Sequence, residues 1–203
     1  MLNDNTIGVI GARGGQGTST IATVLALYAS SEGPTGLIGP DPDDLLAGLG
    51  RSDSGHEPVL VSDTLTIASR PLAGSALDIV DCGTLRHPAS SVPAELVAVV
   101  RGPCYLALRS LVASGASGLE GLIIVHESHR SISPADAVEV TGLPLLASVP
   151  VTDRVARIID AGLLGARATA LPEFASLRAL ADRLRSPAGG RWRSTADPAA
   201  STG

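Results

Sequence analysis

The chain has 203 residues, 44% of them hydrophobic, a net charge of −5 and four aromatic side chains. That length predicts one well-buried domain, and no break in composition marks a second. The negative charge argues against a surface that attracts nucleic acid everywhere, and so few rings leave little for stacking bases, although a local basic patch stays open. No apolar run approaches the roughly 20 residues of a membrane span, and the first is short and interrupted by glycine, so a cytoplasmic protein is expected. Cys82 and Cys104 are too few for a disulfide framework and lack metal-ligand spacing; they read as two buried thiols.

Thr6 to Ile10 is the first predicted strand, followed by a glycine-rich run from Gly11 to Thr20. A helix from about Ser19 to Ser30 carries Ile21, Val24, Leu25 and Tyr28 on one side and ends at Glu32-Gly33-Pro34. Leu37-Ile38 then enters a loop. Short strands are predicted at Val59 to Val61, Leu65 to Ala68 and Leu77 to Val80, the last ending at Asp81. A helix from Val92 to Val100 is expected to lead into a strand from Tyr105 to Leu108, with another strand at Leu122 to Val125. Ser133-Pro134-Ala135-Asp136 has an N-cap, a proline at the first helical position and an acid at the third, so a helix should run to Thr141 and stop at Gly142. A strand from Leu145 to Val149 follows, then helices from about Arg154 to Ala161 and from about Pro172 to Ser186. The predicted domain covers residues 1–187. The remainder, 188–203, is poor in groups to bury and reads as a disordered tail.

Strands alternating with helices predict an α/β domain with a mostly parallel sheet, and such sheets bind ligands beyond the C-terminal ends of their strands. The Gly11 to Thr20 run follows the first strand and opens the first helix, the setting of a phosphate-binding loop. Such a loop reads G-x-x-x-x-G-K-[ST]: glycines let backbone N–H groups approach phosphate, lysine reaches the outer phosphates and Ser or Thr meets Mg²⁺. Here Thr18 stands at the lysine position. No distant lysine can replace it, because all fifteen cations are arginines. A purely structural tight turn is the competing reading. Asp81 behind an aliphatic strand suits a Mg²⁺ water shell, with a turn-capping acid as its alternative. His126 and His129 have no third ligand pattern and are not read as a metal site.

The final helix places Phe174, Leu177, Leu180, Ala181 and Leu184 at helical spacing, with Arg178, Arg183 and Arg185 among them and Arg191-Trp192-Arg193 beyond. Two readings stand: a helix docked on the sheet, or a basic amphipathic surface, Arg178 to Arg193, for a membrane, DNA or an acidic partner.

In order, R-G-G-Q-G-T-S-T (Arg13 to Thr20), P-D-P (Pro40 to Pro42), L-D-I-V-D (Leu77 to Asp81) and L-L-A-S-V-P-V-T-D-R-V-A-R-I-I-D-A-G (Leu145 to Gly162) resemble the ParA/MinD group of deviant P-loop proteins. The likeness spans roughly Thr6 to Leu164. Within the group the loop is most similar to that of the TadZ/CpaE and septum-site-like branch, where arginine comes first and a small residue replaces the second lysine. The resemblance implies a three-layer P-loop NTPase fold and ATP or ADP with Mg²⁺. It assigns nucleotide contacts to Arg13, Gly14, Gly15, Gln16, Gly17, Thr18, Ser19 and Thr20, with Pro150 and Asp153 beside the base. Ser19 and Asp81 fall on the Mg²⁺ positions and Asp41 on a switch acid of catalytic role.

Departures from the pattern weaken the enzymatic side. Gly39 replaces the first acid of the family's D-x-D switch, and His126-Glu127 stand where many members place an adenine-reading asparagine. The resemblance therefore implies a catalytically impaired, homodimeric scaffold that positions a protein partner in pilus, secretion, septum or partition machinery, polar or membrane-peripheral in the cell. The alternative is a slow ParA-type ATPase that cycles between dimer and monomer in moving DNA or other cargo.

Overall fold

The computed structural model describes residues 5–52, 58–89, 95–115 and 118–185. Its strands are β1 (Thr6–Gly11), β2 (Thr35–Ile38), β3 (Val59–Ser62), β4 (Leu65–Ala68), β5 (Leu77–Thr84), β6 (His87–Pro88), β7 (Glu95–Arg101), β8 (Leu119–His126) and β9 (Leu145–Pro150). The helices are α1 (Thr18–Ser30), α2 (Pro42–Gly48), α3 (Tyr105–Ala113), α4 (Pro134–Thr141), α5 (Asp153–Asp160), α6 (Leu164–Arg167) and α7 (Ala175–Leu184). Short 3₁₀ turns at Ala168–Ala170 and Pro172–Phe174 join α6 to α7. The tail expected to be disordered, with Arg191, Trp192 and Arg193, lies outside the described residues.

One sheet runs in the order β3-β4-β2-β5-β1-β7-β8-β9. Its pairs are parallel except β3 with β4 and the short β6 against β5. Both faces are covered, which is why the central strands are continuous aliphatic runs and not alternations. In β7, Val97 and Val99 join the core under α1 and α7, while Ala98 and Val100 join the core under α3 and α4. Ile123 and Val125 of β8 split from Leu122 and Ile124 in the same way. This gives three layers, helices on each side of a mostly parallel sheet. β1 lies between β5 and β7, so the chain turns one way toward β2 and the other toward β8 and β9, and the crevice opens where β1 ends.

Two predicted elements are exchanged. The stretch expected to be helical up to Val100 is strand β7 from Glu95, and the stretch expected to be a strand from Tyr105 is helix α3. β7 is buried between β1 and β8, where an aliphatic run of either periodicity fills both faces. Leu37-Ile38 is also strand, not loop, in β2. β5 continues past Asp81 to Thr84, so this acid sits within the strand and not at its end. α2, α6 and the 3₁₀ turns were not predicted, and the Pro172 helix begins as α-helix only at Ala175. The capping box of α4 is present: Ser133 accepts from the Asp136 N–H, Asp136 accepts from the Ser133 N–H, and Gly142 ends the helix at φ 69°.

The stripe on α7 is committed to the core. Phe174, Leu177, Leu180, Ala181 and Leu184 are all buried in the cluster that holds α1. Arg183 donates to the Leu146 carbonyl and Arg185 to the carbonyls of Ala29 and Gly33. Of the two readings of this helix, the docked one describes its apolar side. Among the described residues no helix is long and apolar enough to cross a membrane.

Candidate functional site

The site begins at a mismatch between β1 and β5. Val9 pairs with Asp81, but Gly11 pairs with Thr84, so three steps along β5 meet two along β1. The surplus is taken up near Gly83, which adopts φ 68° and donates its N–H to Asp81 Oδ1 at 3.0 Å. Bulges of this kind re-aim side chains beside sites. Here the effect is to fix the Asp81 carboxylate at the C-terminal edge, 5% exposed. Beyond the bulge, Leu85 and Arg86 turn the chain into β6, and the Leu85 N–H returns to the Gly11 carbonyl at 3.0 Å.

From Gly11 the chain makes an open loop into α1. Gly15 at φ 75° and Gly17 at φ 83° are left-handed, and a Cβ at Gly14, Gly15 or Gly17 would meet no atom within 4 Å. The backbone thus faces open space. Gly17 is the N-cap of α1 and offers no side chain to the first-turn N–H groups, so these stay available to an anion at the positive end of the helix. Gln16 fixes the loop from beneath: 9% exposed, its Oε1 accepts from the Arg101 N–H at 2.7 Å.

Thr18 stands where the resemblance expects a lysine. It is 8% exposed, and its hydroxyl lies against Gly11, leaving no room there for a side chain. The residue lines the floor of the cleft and carries no charge into it. The cleft has a volume of about 370 Å³ and is bounded by Arg13, Gln16, Thr18, Ser19, Asp41, Asp44, Asp81 and neighbouring backbone. Among the described residues that line it, Arg13 is the one cation, against three carboxylates.

Asp41 lies on this cleft, but it also starts α2: as its N-cap it accepts from the Asp44 N–H at 3.3 Å, with Pro42 following. Gly39, where the resemblance expects the first switch acid, packs tightly against Leu45, so this position is part of the α2 seat. Ser19 is exposed at the first turn of α1. Among the described residues no group of three or more His, Cys, Asp or Glu forms a metal cage, which also covers His126 and His129. A Mg²⁺ ion here would depend on phosphate oxygens and water besides Ser19 and Asp81, and Mg²⁺ commonly binds in this way. Open glycine backbone, a free helix N-terminus and this oxygen donor set fit a Mg-bound phosphate chain.

A second, more apolar cavity of about 170 Å³ adjoins the first through Gln16 and Gly17. Val125, Val149, Val151, Val155, Ile159 and Phe174 line it, with Thr20, Arg101 and Asp160 at polar points. Pro150 ends β9 and Asp153 opens α5; neither lines either cavity, and their neighbours Val151 and Val155 do. The N-cap of α5 is Thr152, which accepts from the Val155 N–H at 3.2 Å, so Asp153 stands at the first helical position. The Val155 and Ile159 spacing along α5 was the available sign that this helix turns an apolar side to the site.

Glu127, one of the two residues where the resemblance expects a base-reading asparagine, is committed elsewhere. Its Oε1 accepts from Arg101 Nε at 2.7 Å and its Oε2 from Arg130 Nε at 2.7 Å. The Arg130 and then the Arg101 hydrogen bonds hold its carboxyl below the usual range. Neither the Gln16–Arg101 tie nor this ion pair was foreseen from the sequence. Cys82 is buried as expected, and burial together with the Asp81 charge pushes its thiol up to about 12, so it remains a thiol at neutral pH. Cys104 is half-buried instead.

No protein-family model matches the chain, and no curated protein matches it at a significant level. Solved structures do. The ParA family ATPase from Chlorobium tepidum TLS aligns with a TM-score of 0.65 at 15% identity, over 87% of this chain and 96% of that one. The MinC:MinD cell division protein complex of Aquifex aeolicus gives 0.67 at 14% identity, over 88% and 95%. The septum site-determining protein MinD complexed with Mg-ADP, from Pyrococcus horikoshii OT3, gives 0.64 at 17% identity, over 89% and 93%. Likeness at such low identity concerns the fold: this chain has the mostly parallel, three-layer α/β fold of the ParA/MinD-type P-loop ATPases.

Proposed function

We propose that this chain is a nucleotide-binding scaffold of ParA/MinD type with impaired turnover, which positions a protein partner in pilus, secretion, septum or partition machinery. The observation that carries this reading is Thr18: a loop with open glycine backbone and Asp81 behind it keeps a neutral side chain where charge would serve the phosphates. The backbone N–H groups from Gly14 to Thr18 and the N-terminus of α1 would hold the phosphate chain of ATP or ADP, with Mg²⁺ on Ser19 and Asp81. When bound, Mg²⁺ supplies charge neutralisation on the phosphates. The neighbouring apolar cavity would take the base between Val151 and Val155. The MinD of P. horikoshii was solved with Mg-ADP and that of A. aeolicus with MinC, which supports a nucleotide and a protein partner for this fold.

The absent lysine has a calculable cost. A charge-assisted hydrogen bond contributes about 1.5–3 kcal/mol, or roughly 10- to 150-fold in affinity or transition-state stabilisation. Binding survives such a loss better than hydrolysis does, because phosphoryl transfer depends on positioned charge. Arg13, by its place in the loop, would supply part of that charge across a homodimer. A slow ATPase that cycles between dimer and monomer is the second reading; Ser19, Asp41 and Asp81 on one cleft favour it.

Titration of the purified chain with labelled ATP, with and without Mg²⁺, together with steady-state phosphate release, tests the proposal. Mg²⁺-dependent binding with turnover far below the ~10 s⁻¹ typical of enzymes is expected. Turnover at that typical rate would overturn the scaffold reading, and absence of binding at millimolar ATP would overturn the nucleotide site.

A further inference from the structure

A cavity of about 530 Å³, larger than the phosphate cleft and bordering it at Arg13, lies between the Leu85-Arg86 turn and helix α3. Arg13, Arg86 and Arg109 stand around it, over a floor that includes Leu85, Leu106 and Ala113. None of the three arginines has an ion pair or side-chain hydrogen bond among the described residues. Among the described residues no acid lines the groove, in a chain whose net charge is −5. On α3 the floor residue Leu106 is 52% exposed, whereas Ala107, Leu108 and Leu111 of the same helix are buried.

Unpaired arginines grouped over exposed aliphatic surface, on an otherwise acidic molecule, form a complementary seat for anions attached to an apolar body. We infer that this groove docks an acidic amphipathic segment of a partner protein, its carboxylates on Arg86 and Arg109 and an aliphatic side chain between Leu85 and Leu106. A helix with acids and leucines on one side meets both demands at once. A single-stranded nucleic acid would use the arginines, but an aliphatic floor gives its bases nothing to stack on. A second copy of this chain, related by a two-fold axis through the groove, would bring arginine onto arginine. The inference deepens the scaffold reading and rests on it only for the existence of a partner. The groove needs no nucleotide, so failure of the nucleotide site and failure of the groove are separable.

The test uses the full chain without nucleotide and a fluorescein-labelled helical peptide built from Glu and Leu, with leucines at i, i+3, i+4 spacing. Fluorescence anisotropy should show binding of this peptide and none of its Lys-for-Glu or Ser-for-Leu counterparts. Arg86→Glu with Arg109→Glu should weaken it at least ~10-fold, as loss of two charge-assisted contacts requires. Leu106→Ser should weaken it through the floor alone. These side chains are exposed, so the variants should melt as the wild type does; if the double variant fails to fold, Arg109→Ala and Leu106→Ser decide the matter. No peptide binding, equal binding by the variants, or tighter binding of a labelled oligo-dT would overturn the proposal. So would a sedimentation shift from dimer to monomer in the variants, which would make this surface a contact between copies.

Discussion

Gln16, in the middle of the glycine loop, accepts a hydrogen bond from the backbone N–H of Arg101 at the end of β7, 2.7 Å away and 85 residues along the chain. The loop is therefore fastened to the central sheet from beneath, while its glycines face the cleft. Arg101 in turn donates to Glu127, which links the ends of β7 and β8 to the same point.

Gln16→Ala should cost about 1–3 kcal/mol of stability, because the Arg101 N–H loses its buried acceptor. The loop should loosen with it, so any affinity for Mg-ATP should fall more than stability does. Thermal melting and ATP titration of the same preparation separate the two effects. An unchanged melting temperature would show that water replaces the carboxamide at no cost.

Thr18→Lys should restore charge at the phosphate end of the cleft. The Thr18 hydroxyl rests against Gly11, and the cleft in front of it is open, so a longer side chain has space to extend away from that contact. Affinity for Mg-ATP should rise by roughly 10- to 150-fold, the worth of one charge-assisted contact. Phosphate release should rise as well. Unchanged binding would mean that Arg13 or the backbone already satisfies the phosphates.

Much of this arrangement can be read from the residues themselves, and the places where it cannot have physical causes. Gly11 to Thr20 followed by an aliphatic helix declares a loop between strand and helix, because glycine adopts the left-handed backbone found at Gly15 and Gly17 without the steric cost a side chain would add. Ser133-Pro134 announced α4 through local capping chemistry. By contrast, β7 and α3 were exchanged because Val97 to Val100 is buried on both faces, and burial on both faces erases the period of two that marks a strand. α3 also lacks a side-chain cap at Cys104, so no local signal announced it. Asp41-Pro42 carries a helix start, an N-cap acid with proline at the first helical position, and the same acid fits the switch segment of the resemblance, so one residue serves two patterns and the cap hides α2. Contacts across the chain, such as Gln16 with Arg101 or Glu127 with both of its arginines, leave no local pattern.

Arg13→Ala tests the proposed dimer. If Arg13 supplies charge to a partner's site, dimerisation and nucleotide binding are linked, and each must favour the other by the same factor. Sedimentation with Mg-ATP should show dimer for the wild type and a shift to monomer for the variant, with weaker binding alongside. A monomer under every condition, or an equally strong ATP-dependent dimer after the substitution, would remove Arg13 from this role.

Asp78 should make stability depend on pH. Fully buried in β5, it accepts from Ser75 Oγ at 2.6 Å, and burial raises its pKa while the Ser75 bond opposes the rise. A carboxyl raised in the folded state binds protons more tightly there than in the unfolded chain. Its stabilising contribution is complete below the unfolded value near ~3.9 and is lost as pH rises through the folded value. Asp78→Asn should flatten that decline in urea unfolding between pH 4 and pH 8. Parallel curves for the two proteins would assign the slope to other groups.

Arg185→Ala should be among the most destabilising changes at an arginine. This guanidinium donates from Nε and Nη2 to the Ala29 carbonyl at 3.0 and 2.7 Å, and from Nη2 to the Gly33 carbonyl and Thr35 Oγ1. It thus joins the end of α7 to the C-terminal turn of α1 and the entry to β2, at the negative end of the helix dipole. No basic residue of α1's own last turn does this work. Loss of such a multiply bonded charge should cost about 2 kcal/mol, or a fall of roughly 4–8 °C in melting temperature for a domain of this size. Arg185→Lys should recover only part of it, because a lysine ammonium lacks the planar fork that reaches the separate acceptors. Full rescue by lysine would show that charge at the helix end, and not the shape of the guanidinium, holds α7 in place.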